Sequence, residues 1–380
     1  MKVLIAILTG LAILLAAALL PLPIRPYLDF QVLYHADLGL MRGISLYDHA
    51  GQVDMIAQLA HVSPEQVFVL PFPYPPWYAL STLWLALLPI DAAARVWFGL
   101  NLLMLVLAMW LLIGGRVSAR RLPTYCLAIL WVPVLGSLFV GQYVFPVLLG
   151  AALMAYALRN SRVILTGCAA ALLTFKPHLG GLILVTALVY LWLRRDRFGR
   201  GAATAMLAAG AFLFAIGFLA SPAWPLDYFH SLTGFKDVSQ CHQCVSPSMA
   251  LAGLAGGGLD QAVWISALLA ILAVAWWVRN WRKITADADR LVTVGILSTF
   301  LVSPYLQNYD YLLLLVPFLV LSREAQGLDW IRIAAAFVVP LLGLAVLSPA
   351  GNAWLVLSAV ILFFYGARRF AAPSEQRAVS

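Results

Sequence analysis

Apolar runs follow one another through almost the whole chain, each separated from the next by a short polar or basic stretch. This alternation limits the fold more than any other feature. The runs lie near 3–22, 92–113, 123–140, 142–158, 163–176, 178–193, 202–221, 260–278, 290–304, 310–322, 330–348 and 353–367. A helix crossing a bilayer needs about 20 mostly apolar residues. Only 11% of the residues are charged, where a soluble domain carries about 25%, so the chain reads as an all-α polytopic membrane protein. The basic clusters are Arg116/Arg120/Arg121, Arg159/Arg162, Arg194/Arg195/Arg197/Arg200, Arg279/Arg282/Lys283, Arg323 and Arg368/Arg369. Placed together in the cytoplasm they thread about 12 spans, with both termini inside. These clusters also account for the formal charge of +8, so nucleic acid is not an expected partner. Residues 21–26 offer no small-residue cleavage site, and 3–22 is therefore read as an uncleaved first span.

The threading holds only if residues 77–90 do not cross. That segment is apolar but short and bounded by Pro76 and Pro89, which suits a re-entrant or tilted piece. The same threading gathers polar motifs on the opposite face: Asp29, Asp91, Gln142, Lys176-Pro177-His178, the 222–247 loop and Gln307-Asn308-Tyr309-Asp310. Titratable groups beside a membrane are functional-site candidates because desolvation makes them costly.

The first outer loop, 23–76, carries the densest chemistry: Arg25, Asp29, Tyr34, His35, Asp37 and Arg42 follow the first span directly. The apolar spacing of Leu28, Val32, Leu33, Leu40 and Ile44 predicts an amphipathic helix along the membrane surface. Asp29 is placed to act as a general base for an incoming hydroxyl, or alternatively to pair with Arg25. Asp37 lies about 80° round and about 12 Å along the same helix, so it reads as a solvated or ligand-facing charge. Lys176 precedes a proline, is placed to meet a phosphate, and has His178 beside it. The competing reading is a lysine snorkelling from a helix end. Gln142, Gln307 and Asn308 offer hydrogen bonds to a polyhydroxylated ligand, and Tyr305, Tyr309 and Tyr311 offer rings, unless they serve interhelical bonding and an aromatic belt. Cys241-His-Gln-Cys244 is half a zinc site without a second pair, and a disulfide is an equal reading. Cys126 and Cys168, within spans, read as packing residues. No metal and no cofactor are expected. Phosphate-loop, Rossmann and GxSxG motifs are all missing.

Asp29-Phe-x-Val-x-Tyr34-His-Ala followed by Gly43-x-x-x-Tyr47-Asp48 resembles the first-loop signature of the membrane-integral glycosyltransferases of family 87, within the GT-C superfamily. Phe72-x-Tyr74-Pro75-Pro76, Val96-Trp97-x-x-Leu100-Asn101, Gly141-Gln142, Lys176-Pro177, Ser303-Pro304 and Tyr309-Asp310 extend the resemblance over residues 25–320. It implies a single GT-C-like unit over 1–370, with a short disordered tail at 371–380. It further implies an inverting hexosyl transfer, with mannose the expected sugar. The donor would be a polyprenyl-phosphate sugar, the acceptor a lipid-linked or cell-envelope glycan, and the active site would face the non-cytoplasmic side of the cell (inner) membrane. Asp29 would be the catalytic base, Lys176, His178 and Arg25 would meet the donor phosphate, and Asp37, Tyr34, His35, Tyr74, Gln142, Gln307, Asn308, Tyr309 and Asp310 would line the substrate site. Family members often carry a His where this chain reads Gln307-Asn308, and neither amide is an acid or base near neutral pH. Two other readings remain: a transporter of lipid-linked sugars, which an inverted repeat would favour, and a ligase moving a whole glycan from a lipid diphosphate.

Overall fold

The computed structural model describes residues 28–113, 122–239, 244–323, 325, 327–345 and 353–371. Outside them lie the expected first span, Arg25, Arg116/Arg120/Arg121, Cys241 and the tail beyond residue 371. Among the described residues every regular element is helical and no strand occurs.

The first loop forms α1 (Leu28–Met41) and α2 (His49–Ala60), separated at Gly43, whose φ of 78° most side chains avoid. The expected amphipathic surface helix is corrected here. From Asp29 to Leu40 no residue of α1 is exposed, and Phe30, Leu33, Ala36 and Asp37 are fully buried. The helix packs inside the protein because the 72–97 segment and Tyr143 cover the side that the periodicity leaves to water.

Residues 76–87 form α3 (Pro76–Thr82) and one 3-10 turn (Leu83–Leu87). Together these span about 20 Å, short of a hydrocarbon core of about 30 Å. Next come α4 (Ile90–Leu112), α5 (Leu122–Ile129) and α6 (Val132–Val140). The run expected over 123–140 is thus two helices, because Trp131 is extended and Pro133 opens the second. The bundle continues with α7 (Val144–Arg159), α8 (Val163–Leu173), α9 (Pro177–Arg194), α10 (Arg197–Gly217), α11 (Trp224–Ser239), α12 (Pro247–Leu254), α13 (Leu259–Ile284), α14 (Ala288–Val302), α15 (Leu315–Arg323), α16 (Asp329–Ala345) and α17 (Ala353–Ala371).

Four described helices are long and apolar enough to cross a bilayer: α4, α9, α10 and α13. Their outward faces carry large apolar side chains such as Phe212, Trp264, Ile271 and Val278, which in water would form an exposed patch of the kind that marks a lipid or partner surface. Cys126 and Cys168 are exposed free thiols rather than the packing residues expected.

Three helices share a polarity that positions the site. α7 begins next to Gln142-Tyr143 and ends at Arg159; α9 begins after Lys176 and ends at Arg194; α15 continues the 3-10 turn Asn308–Leu314 and ends at Arg323. At the far end, Asp289 accepts from both Arg159 (2.9 Å) and Arg323, tying α7, α14 and α15 together.

The turn before α9 is set by local chemistry. A residue preceding proline is pushed away from helical geometry, and Lys176 has φ −126° and ψ 87°. Helices α8 and α9 then cross so closely that a Cβ on Gly180 would lie 2.0 Å from the Leu173 carbonyl oxygen. Gly180→Ala should therefore lower stability by about 1–3 kcal/mol through overpacking. Gly181→Ala, where a Cβ meets nothing within 4 Å, should leave thermal unfolding in detergent unchanged or slightly raised. Equal melting temperatures for the two variants would show that this crossing does not set the turn.

Candidate functional site

Four separated stretches converge where α1, the 141–143 turn, the Lys176 turn and the 307–310 loop meet. Each is held by neighbours chosen for shape. Gly141 ends α6 in the left-handed region (φ 69°), and its carbonyl accepts from the Trp97 indole at 2.9 Å. Asn101 donates to the Gln142 carbonyl at 3.3 Å. Pro304 releases the chain from α14, and the loop is then clasped by residues 245–246: Val245 N–H donates to Leu306 O (2.6 Å), Tyr311 Oη to Val245 O (2.8 Å) and Ser246 Oγ to Pro304 O (3.1 Å).

The centre is a buried ion pair. Lys176 Nζ lies 2.7 Å from Asp310 Oδ1, with side-chain exposures of 2% and 1%. A snorkelling lysine would keep its ammonium in water, so that reading is removed. The same ammonium donates to Gln142 Oε1 at 3.4 Å and sits 4.7 Å from the Tyr309 ring centroid and 5.9 Å from that of Tyr74. Asp310 Oδ2 accepts from the Gln307 backbone N–H at 2.9 Å and lies 3.7 Å from His178 Nε2. His178 is 34% exposed, so it is the neighbour of Asp310 that a ligand reaches first.

Asp29 stands in the first turn of α1, half-buried, outside that ion pair. Burial raises its carboxyl above the usual carboxylate range; the Gln142 side chain and then the Lys176 charge pull it back, and Asp310 pushes it up again. Gln142 is fully buried. Its Nε2 is directed to Asp29 but reaches no acceptor at full hydrogen-bonding geometry, leaving an open donor beside the carboxylate.

The side chains of other residues expected at the site make their contacts outside the ion pair. Tyr34 donates its hydroxyl to Leu88 O at 2.8 Å, a tie between α1 and the end of the 3-10 turn. His35 lines a small cavity together with residues 68–70, and burial holds its imidazole down at about 4. Asp37 is corrected in one respect: it is not solvated but 0% exposed, near Tyr78 and Thr82. Neither of its oxygens has a full hydrogen bond, and burial drives its carboxyl well up despite the nearby Thr82 hydroxyl. Asn308 is exposed, and Gln307 Nε2 faces Cys244 Sγ at 3.8 Å. Cys244 is disulfide-bonded, so it is no thiolate ligand, and among the described residues no cluster suits a metal ion. The sequence reading did not foresee the pairing of Lys176 with Asp310, nor the role of Tyr143. The hydroxyl of Tyr143 accepts from Leu33 N–H at 3.1 Å and its ring packs 4.8 Å from Tyr74.

A half-buried carboxylate beside a buried ion pair, inside a helical protein with bilayer-length apolar helices, marks a functional-site candidate in a membrane protein. Comparison with protein families matches residues 72–304 to Glycosyltransferase family 87, and the chain belongs to that family. The match begins after α1 and ends before Asp310, so the two carboxylates flank it. No curated protein and no solved structure matches the chain.

Asp37 generates a pH prediction. Its folded-state carboxyl is raised, so the cost of ionising it is absent near pH 4 and grows as pH rises above the unfolded value of about 3.9. Asp37→Asn should raise the melting temperature in detergent at pH 8 more than at pH 4.5. A loss of equal size at both pH values would show that the carboxyl is needed in the fold.

Proposed function

We propose that the protein transfers a hexose, with mannose the first candidate, from a polyprenyl-phosphate sugar to a glycan or lipid acceptor on the non-cytoplasmic side of the cell membrane. The observation that supports this best is the division of labour between two carboxylates. Lys176 is committed to Asp310, which leaves Asp29 the carboxylate free to take a proton. In this reading the acceptor hydroxyl oxygen attacks the anomeric carbon as its proton passes to Asp29. The bond from that carbon to the phosphate oxygen breaks, and the configuration inverts. The leaving phosphate keeps the bonding electrons and meets His178, with Lys176 behind it. The open Nε2 of Gln142 donates to the incoming sugar or acceptor. Arg25 remains a candidate for the same phosphate.

The orientation rests on helix polarity. The site occupies the ends of α7, α9 and α15 opposite Arg159, Arg194 and Arg323, and basic ends belong in the cytoplasm. A GT-C-like arrangement of about 12 crossings, with 76–87 as a re-entrant piece, accommodates this.

Asp29→Asn should lower sugar transfer by at least about 10²-fold, in membranes given a panel of radiolabelled polyprenyl-phosphate sugars, with membrane insertion unchanged. Since Asp29 acts ionised, transfer should rise with pH through a midpoint above the usual aspartate value of about 3.9. Lys176→Met removes a charge that favours ionised Asp29, so the ascending limb should move to higher pH. Normal turnover by Asp29→Asn would remove this residue from the reaction, and labelling from no donor would favour transport.

A further inference from the structure

A cavity of about 560 Å³ lies between the first loop and α11. Ser45, Tyr47, Asp48, Asp227, His230 and Ser231 line it, and its volume falls within the range of about 300–1,000 Å³ typical of small-ligand sites. Tyr47 links it to the reaction site. The Tyr47 hydroxyl donates to the Tyr74 carbonyl at 2.9 Å, and the Tyr74 ring lies beside the Lys176 ammonium.

The chemistry of the lining selects its ligand. No Lys or Arg occurs among the described lining residues. Asp48 spends one oxygen on the Gly51 N–H (3.0 Å) and Asp227 spends one on the Ser221 hydroxyl (2.8 Å). The cavity therefore presents two carboxylates as acceptors, beside His230 and His49, whose Nε2 is engaged by Val69 O at 2.7 Å. With no Lys or Arg among the described lining residues, the two carboxylates disfavour a phosphate such as the head of the lipid donor. A neutral polyol supplies hydroxyl donors to them, and the ring of Tyr47, which Tyr228 backs at 5.9 Å between centroids, supplies a face for sugar C–H groups.

The geometry points to this cleft as the acceptor subsite: it takes a neutral, hydroxyl-bearing glycan and delivers one hydroxyl past Tyr74 to Asp29. This rests on the transferase reading given above, but its binding is testable without turnover. The probes are methyl glycosides and short neutral oligosaccharides of glucose, mannose and galactose, with their phosphorylated counterparts. Binding to the full chain in lipid nanodiscs is followed by saturation-transfer NMR. The variants are Asp227→Asn, and Asp48→Ser, which keeps a side chain able to cap α2.

At least one neutral probe should bind wild type and Asp29→Asn alike, and at least ten-fold more weakly to Asp227→Asn and Asp48→Ser. Phosphorylated probes should bind less well. In transfer assays the acceptor KM should rise at least ten-fold in both cleft variants, with the donor KM within two-fold of wild type. Binding of no neutral probe, preference for the phosphorylated ones, or equal binding by the cleft variants would overturn the proposal. Neutral-probe binding that depends on Asp227 in a protein with no transfer activity would instead sink the transferase reading and leave the cleft standing.

Discussion

A lysine and an aspartate with almost no solvent access, 2.7 Å apart, anchor everything that the site does. Removing one partner of such a pair costs about 3–5 kcal/mol, because the other is left charged and unpaired. The pair also holds additional partners. Gln142, Tyr309, His178 and the Gln307 N–H all surround it, so one ion pair fixes the 141–143 turn, the Lys176 turn and the 307–310 loop relative to each other. Asp29 is brought to this frame by α1 without being captured by it.

The scaffold supports the frame from behind with backbone constraints rather than with charge. Pro177 and Gly180 shape the Lys176 turn, Gly141 with Trp97 and Asn101 shapes the Gln142 turn, and Pro304 with residues 245–246 shapes the last loop. Charge returns at the other end of the same helices, where Asp289 joins Arg159 and Arg323. The bundle is thus fastened by ion pairs at both ends, and apolar packing fills the length between.

Much of this was legible from residue types. Polar motifs interrupting apolar runs marked Asp29, Gln142, Lys176, Tyr309 and Asp310 as candidates, and Pro after Lys176 marked the broken helix. What failed was partner choice and burial. Which carboxylate takes Lys176 depends on packing between residues more than a hundred positions apart, and periodicity carries no such information. Helix α1 was misjudged because its pattern leaves polar positions that only tertiary neighbours bury, Asp37 above all. The Asp48–Asp227 cleft was invisible for the same reason: its walls are far apart in the chain, and nothing in either segment singles it out.

If Lys176 holds Asp310 out of the chemistry, a single carboxylate remains, and transfer must occur by one displacement at the anomeric carbon. NMR of the first product formed from an anomerically pure lipid-phosphate sugar reads this directly. The account predicts a glycosidic bond of inverted configuration. A product of retained configuration would require either a second displacement or attack from the face the phosphate leaves, neither of which a base opposite the leaving group provides, and would contradict the account at its centre.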